Sequence, residues 1–182
     1  MGLAAGCGSG EAPAPPAPPA AETPSLVAGP SDSTKTIVFL GTSLTAGFGL
    51  PDQELAYPAL IQRVLDSLGL PFRAVNAGVS GETSAGALRR IDWVLQQGVV
   101  AVLMVETGAN DGLRGQDPDT PRANIQAIFD RARTLDPPPA LVLTGMEALP
   151  NLGNRYVERF RGIFPDLARA NGAAFVPFLL AG

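Results

Sequence analysis

Thr36-Ile-Val-Phe-Leu-Gly-Thr-Ser-Leu-Thr-Ala-Gly47 is the stretch on which the reading of the chain turns. Its first five residues are apolar and β-branched, as expected of a short strand buried on both faces. Its remainder is a turn of small residues that carries Ser43. A helical period follows, with Tyr57, Leu60, Ile61, Val64, Leu65 and Leu68 at i, i+3, i+4, i+7, i+8 and i+11 and Gly69 as the stop. Strand, small-residue turn and amphipathic helix make the first unit of an alternating α/β chain.

The alternation continues to the last residues. Arg73-Ala-Val-Asn-Ala77 reads as a second strand, and Ala87, Leu88, Ile91, Val94 and Leu95 mark a helical face closed by Gly98. Val99-Val-Ala-Val-Leu-Met-Val105 is the most apolar strand and is expected at the centre of the sheet. Ile125, Ile128, Phe129, Ala132 and Leu135 give a third helix, stopped by Pro137-Pro-Pro139, and Ala140-Leu-Val-Leu-Thr144 a fourth strand. Tyr156, Phe160, Ile163, Phe164 and Leu167 line a fourth helix that Pro165 is expected to bend or split, before a fifth strand at Ala174-Phe-Val176. Strict alternation means right-handed crossovers and a parallel sheet covered on both faces. The expected fold is a flavodoxin-like three-layer α/β/α sandwich whose five parallel strands run in the order 2-1-3-4-5.

In such sheets, sites form where loops leave the carboxyl ends of the strands. Three loops qualify: Gly41-Thr-Ser-Leu-Thr-Ala-Gly47, Asn76-Ala-Gly-Val-Ser-Gly-Glu-Thr83 and Glu106-Thr-Gly-Ala-Asn-Asp111. Adjacent parallel strands lie about 4.8 Å apart, so the three meet at one sheet edge. Acyl transfer needs a nucleophile and donors aimed at the developing oxyanion. Ser43 supplies the first, and the N–H groups of Ser43 and Gly81 with the Asn110 amide are available for the second. The first loop is not a phosphate-binding loop, because Ala46 and Gly47 stand where that pattern needs Gly and Lys. It is not the nucleophile elbow of α/β-hydrolases either, because Thr45 replaces its second glycine.

These loops, in this order after three consecutive strands, resemble those of the SGNH (GDSL) hydrolase family, and most closely its bacterial arylesterase and multifunctional thioesterase/lysophospholipase branch. The resemblance runs from Thr36 onward and includes Asn110-Asp-Gly-Leu-Arg-Gly115 and Leu149-Pro-Asn-Leu-Gly153. It implies Ser43 as nucleophile, Gly81 and Asn110 as oxyanion-hole donors, small acyl esters or thioesters as substrates, an acyl-serine intermediate, and no metal or organic cofactor. Thr42 stands where the family has an aspartate, which removes a carboxylate expected to brace the loop, and Ala109 stands where it has a glycine.

The larger departure is chemical. A serine hydroxyl is a weak nucleophile until a base takes its proton, and the 182 residues contain no histidine. In the family a late Asp-x-x-His segment follows strand five and a last helix packs on the sheet. Here Phe175-Val-Pro-Phe-Leu-Leu-Ala-Gly182 follows instead. The expectation is therefore a C-terminally truncated domain without its final helix, with little activity and with Phe175, Val176, Phe178, Leu179 and Leu180 forming an exposed apolar patch. No other residue is a ready base. Lys35 lies at the far end of strand one, roughly 20 Å from Ser43, and Glu82 and Asp111 are expected to brace loops. The rival expectation is a non-catalytic lipoprotein that uses the same cleft to bind acyl or glycan ligands.

Residues 1–34 read as a separate leader ahead of the domain at 35–182. Glu11-Ala-Pro-Ala-Pro-Pro-Ala-Pro-Pro-Ala20 is low-complexity sequence with too few large apolar groups for a core. Leu3-Ala-Ala-Gly-Cys7 resembles a bacterial lipobox, which implies lipidation at Cys7, membrane attachment and a place in the cell envelope, although the charged and apolar regions of a signal peptide do not precede it. A lone cysteine excludes an internal disulfide and, with no histidine, the common zinc frameworks. The net charge of −4 argues against nucleic acid as a partner. The sequence leaves the oligomeric state and the substrate-binding residues open.

Overall fold

A computed structural model describes residues 1–2 and 34–180; Cys7 and the Pro/Ala-rich run lie outside them. Five parallel strands, β1 (Lys35–Gly41), β2 (Phe72–Gly78), β3 (Val100–Val105), β4 (Ala140–Thr144) and β5 (Ala174–Val176), form one sheet in the order β2-β1-β3-β4-β5. Six helices connect them: α1 (Ser43–Ala46), α2 (Tyr57–Ser67), α3 (Ser84–Val94), α4 (Ala109–Leu113), α5 (Asp119–Ala132) and α6 (Asn154–Asn171). The expected topology is therefore the observed one. The four-residue α1 and five-residue α4 were not expected, because segments this short carry no apolar period.

Alternation along the strands sorts the side chains between two faces. Val38 and Leu40 point to one face with Leu103, Val105, Leu141 and Leu143, where α3, α5 and α6 cover them in one core. Ile91, Ile125, Ile128, Phe129, Phe160 and Phe164 are all but inaccessible there. Phe39, pointing the other way, meets Tyr57 of α2 edge-on at 5.5 Å between ring centres.

Pro165 does not split α6, which runs unbroken over 18 residues. A mid-helix proline costs about 3 kcal/mol. Phe160, Ile163 and Phe164 before it and Leu167 and Ala168 after it are all buried in one register, and that burial outweighs the lost hydrogen bond. The apolar face expected of α2 is also only partly realised. Tyr57, Ile61 and Leu65 are half-buried, whereas Leu60, Val64 and Leu68 are exposed. Gln62 accounts for the difference. Its amide donates to Phe72 O at 3.1 Å and accepts from Ala74 N at 2.6 Å, which seats α2 over the outer edge of β2 and covers backbone groups that an edge strand leaves free.

Of the apolar residues expected to form a patch beyond β5, Leu180 is exposed while Phe175, Val176, Phe178 and Leu179 are half-buried. Among the described residues no helix is long and apolar enough to cross a membrane.

Candidate active site

The three loops leave the same edge of the sheet, as their strand register requires: Gly41 pairs with Gly78 and Leu40 with Val105. Val79 N donates to Gly41 O at 2.9 Å and Glu106 N to Leu40 O at 2.8 Å, so the first residues of the outer loops are stitched to the end of β1.

The turn that carries Ser43 is held from below by Glu106, the residue after β3. The Glu106 side chain is fully buried. Its Oε2 accepts from Thr42 N at 2.8 Å, Thr45 N at 3.2 Å and Thr45 Oγ1 at 2.8 Å, and its Oε1 accepts from Thr42 Oγ1 at 2.8 Å. A carboxylate in the interior is costly unless donors surround it, and four do. Because Thr45 Oγ1 gives its proton to Glu106, the 2.8 Å contact between Thr45 and Tyr57 is one in which the phenol donates. Tyr57 thereby closes a buried chain to Glu106. Burial, and then the negative charge of Glu106, push its phenol well above the ordinary tyrosine range.

This clamp decides which backbone donors stay free. Thr42 N and Thr45 N go to Glu106, Ala46 N to Thr42 O, Gly47 N to Leu44 O and Phe48 N to Ser43 O. Among the described residues the N–H groups of Ser43 and Leu44 have no acceptor, so the turn presents Ser43 with its own amide uncommitted. Thr42 therefore does not deprive the loop of a brace, contrary to the reading of its replacement of aspartate. The carboxylate comes from position 106, and Thr42 serves as a donor to it.

Gly81 and Asn110 sit on the two neighbouring loops. Gly81 has φ 77°, a left-handed conformation that glycine adopts without strain, and a Cβ there would meet nothing within 4 Å. Its backbone twist is by itself a reason for a glycine there. Arg114 Nη2 donates to Gly81 O at 3.0 Å and fixes that peptide. Asn110 Nδ2 donates one hydrogen to Glu82 O at 2.9 Å, which ties the second loop to the third and leaves the other amide hydrogen uncommitted. Ser43, Phe48, Ser80 and Gly81 line one open cleft of about 390 Å³.

The other two carboxylates on these loops, Glu82 and Asp111, are both engaged. Glu82 makes a bidentate pair with Arg90, whose Nη2 also donates to Ala77 O at 2.7 Å and reaches Gly41 O at 3.4 Å. Asp111, fully buried, accepts from Ser84 N at 2.8 Å and Ser84 Oγ at 2.6 Å, and so caps the N-terminus of α3 from another element. Both brace loops, as expected. Among the described residues no group of acidic, cysteine or histidine side chains is placed to hold a metal.

The pattern of the GDSL-like lipase/acylhydrolase family matches residues 39–182. The chain belongs to this family. It is 36% identical over 150 residues to the esterase TesA of Pseudomonas aeruginosa, an alignment that covers 82% of this chain and 73% of that protein. It is 34% identical over 145 residues to the Escherichia coli thioesterase 1/protease 1/lysophospholipase L1, covering 80% and 67%. Among solved structures it is similar to AlinE4, an SGNH-hydrolase family esterase, with a TM-score of 0.74 and 42% identity over 81% of this chain and 77% of that one. Sequence reasoning overlooked Glu106, Thr45, Tyr57 and Arg90 as parts of this site. Glu106 left one signal, a carboxylate directly after the most apolar strand, where burial is all but unavoidable.

Thr107, next to Glu106, is fully buried and its hydroxyl has no partner among the described residues. The two neighbours should therefore respond oppositely to losing their polar atoms. Glu106→Ala strands four donors and should lower stability by about 3 kcal/mol or more, whereas Thr107→Val should leave it unchanged or raise it by up to about 1 kcal/mol. Urea unfolding of the two variants measures both. A Glu106→Ala loss no larger than that of an exposed alanine substitution would contradict the clamp.

Proposed function

We propose that residues 35–182 form an SGNH-type serine ester or thioester hydrolase domain that acts on small acyl esters, with Ser43 as nucleophile and the N–H groups of Ser43 and Gly81 and the Asn110 amide as oxyanion donors. The observation that carries this reading is the cleft shared by Ser43 and Gly81, with the Ser43 amide left free by Glu106. In the reaction, Ser43 Oγ attacks the carbonyl carbon and the carbonyl electron pair moves to oxygen, where the three donors stabilise it. Collapse expels the alcohol or thiol and leaves an acyl-serine, which water hydrolyses to the acid.

The proton of Ser43 is the difficulty. Its usual acceptor is histidine, of which these residues have none, and Glu82 and Asp111 are committed elsewhere. Loss of the histidine base costs about 10⁶ in kcat in a serine protease. The 182-residue chain should accordingly hydrolyse a short-chain nitrophenyl ester about 10⁶-fold more slowly than a complete serine hydrolase, leaving only the modest catalysis of the oxyanion hole and binding. Turnover at rates typical of this family, abolished by Ser43→Ala, would contradict that. The rival reading, a non-catalytic lipoprotein that binds acyl or glycan ligands, draws its support from the same missing base. It predicts ligand binding in the cleft with no acyl-serine under any condition.

For Cys7, outside the described residues, the proposal is lipidation and location at the bacterial cell envelope, behind a leader formed by residues 1–34. The support is the Leu3-Ala-Ala-Gly-Cys7 motif and the bacterial origin of the relatives. Intact-mass measurement of protein recovered from a bacterial membrane fraction should show a diacylglycerol-type adduct on Cys7. An unmodified cysteine would end the idea.

A further inference from the structure

We propose that Phe48 is the platform on which the apolar part of the substrate rests, so that its ring sets how strongly binding depends on the length of the acyl chain. The inference rests on the active-site reading above and adds to it a specificity-determining residue.

Phe48 is 78% exposed, so its ring contributes little to the core. It nevertheless does not hang free. Its amide donates to the carbonyl of Ser43 at 2.9 Å, and Leu50 N donates to Gly47 O at 3.1 Å. Gly47 and Gly49, at φ 74° and 84°, turn the chain sharply on either side of it. Gly47 lies so close to Ala56 that a Cβ would come within 2.9 Å of it, which seats the base of the loop against the residue that precedes α2. The backbone of Phe48 is thus anchored beside Ser43 by a hydrogen bond to that residue's own carbonyl, while the ring faces water.

The rest of the lining defines the ligand. Ser43, Ser80 and Gly81 complete the cleft and none is charged, while Glu82 nearby is neutralised by Arg90. Such a lining offers hydrogen bonds at the carbonyl and apolar contact beyond it. A flat aromatic face receives an alkyl chain or another ring at low conformational cost. Because the cleft is open, one side of the ligand stays in water, so each methylene counts for less than in a closed pocket.

The test is a ¹H–¹⁵N titration of the 182-residue protein with straight-chain carboxylates from acetate to octanoate, each below its micelle-forming concentration, following the amides of Ser43 and Gly81. Affinity should rise by roughly twofold per methylene, about half of what full burial gives on a logarithmic scale. Phe48→Ala should weaken octanoate by about tenfold and leave acetate within about twofold, and Phe48→Tyr should restore the chain-length dependence. Since the ring is exposed, these variants keep the fold. If Phe48→Ala retains the wild-type dependence while the Ser43 and Gly81 amides still respond, the platform is wrong and the active-site reading stands. If neither amide responds to any carboxylate, both fall.

Discussion

Everything at the candidate site depends on one buried carboxylate. Glu106 stands at the end of β3, between β1 and β4 in the sheet, and takes four hydrogen bonds from Thr42 and Thr45, on either side of Ser43. A charge in this position is tolerated only because Thr42 and Thr45 surround it with both their amides and both their hydroxyls. The same bonds give the turn a single shape. They consume the amides of Thr42 and Thr45 and leave that of Ser43 uncommitted, so the shape of the turn follows from satisfying a buried charge. Arg90 works in the same way one layer out, joining Glu82 to the carbonyl ends of β1 and β2.

The sheet was legible because its signals are local. Five apolar runs of strand length alternate with helical periods and end at glycine or proline, and only one handedness of crossover suits such a chain. Ser43, Gly81 and Asn110 stood out as candidates for a related reason: each lies in a small-residue loop directly after a strand, where parallel sheets place their sites. The structure brings Ser43 and Gly81 to one cleft and ties Asn110 to the residue after Gly81. The family's pattern matches residues 39–182, a span that contains all three loops.

What escaped the sequence is long-range. Glu106 bonds to partners more than sixty positions away, and no period or spacing predicts a side-chain contact of that kind. Thr42 looked like a loss because the aspartate it replaces was judged alone, without the carboxylate beneath it. Pro165 looked like a break because a proline's local cost is visible in sequence, while the register of Phe160, Phe164 and Leu167 on one core is visible only in the fold. Leu60, Val64 and Leu68 matched the helical period, yet Gln62 seated α2 on the edge strand and turned them outward. In each case a specific contact overrode a correct local rule.

The account holds that the nucleophile's half of the site is fully built and that only a base is wanting. Chemical rescue tests this most directly. The 182-residue protein and its Ser43→Ala variant would be incubated with an activated short-chain ester, with and without imidazole, and their intact masses followed over time. The account predicts that imidazole speeds the appearance of a single acyl adduct on Ser43, absent from the variant, because the free base stands in for the missing one. Equal labelling of the two proteins, or no adduct at any imidazole concentration, would contradict it.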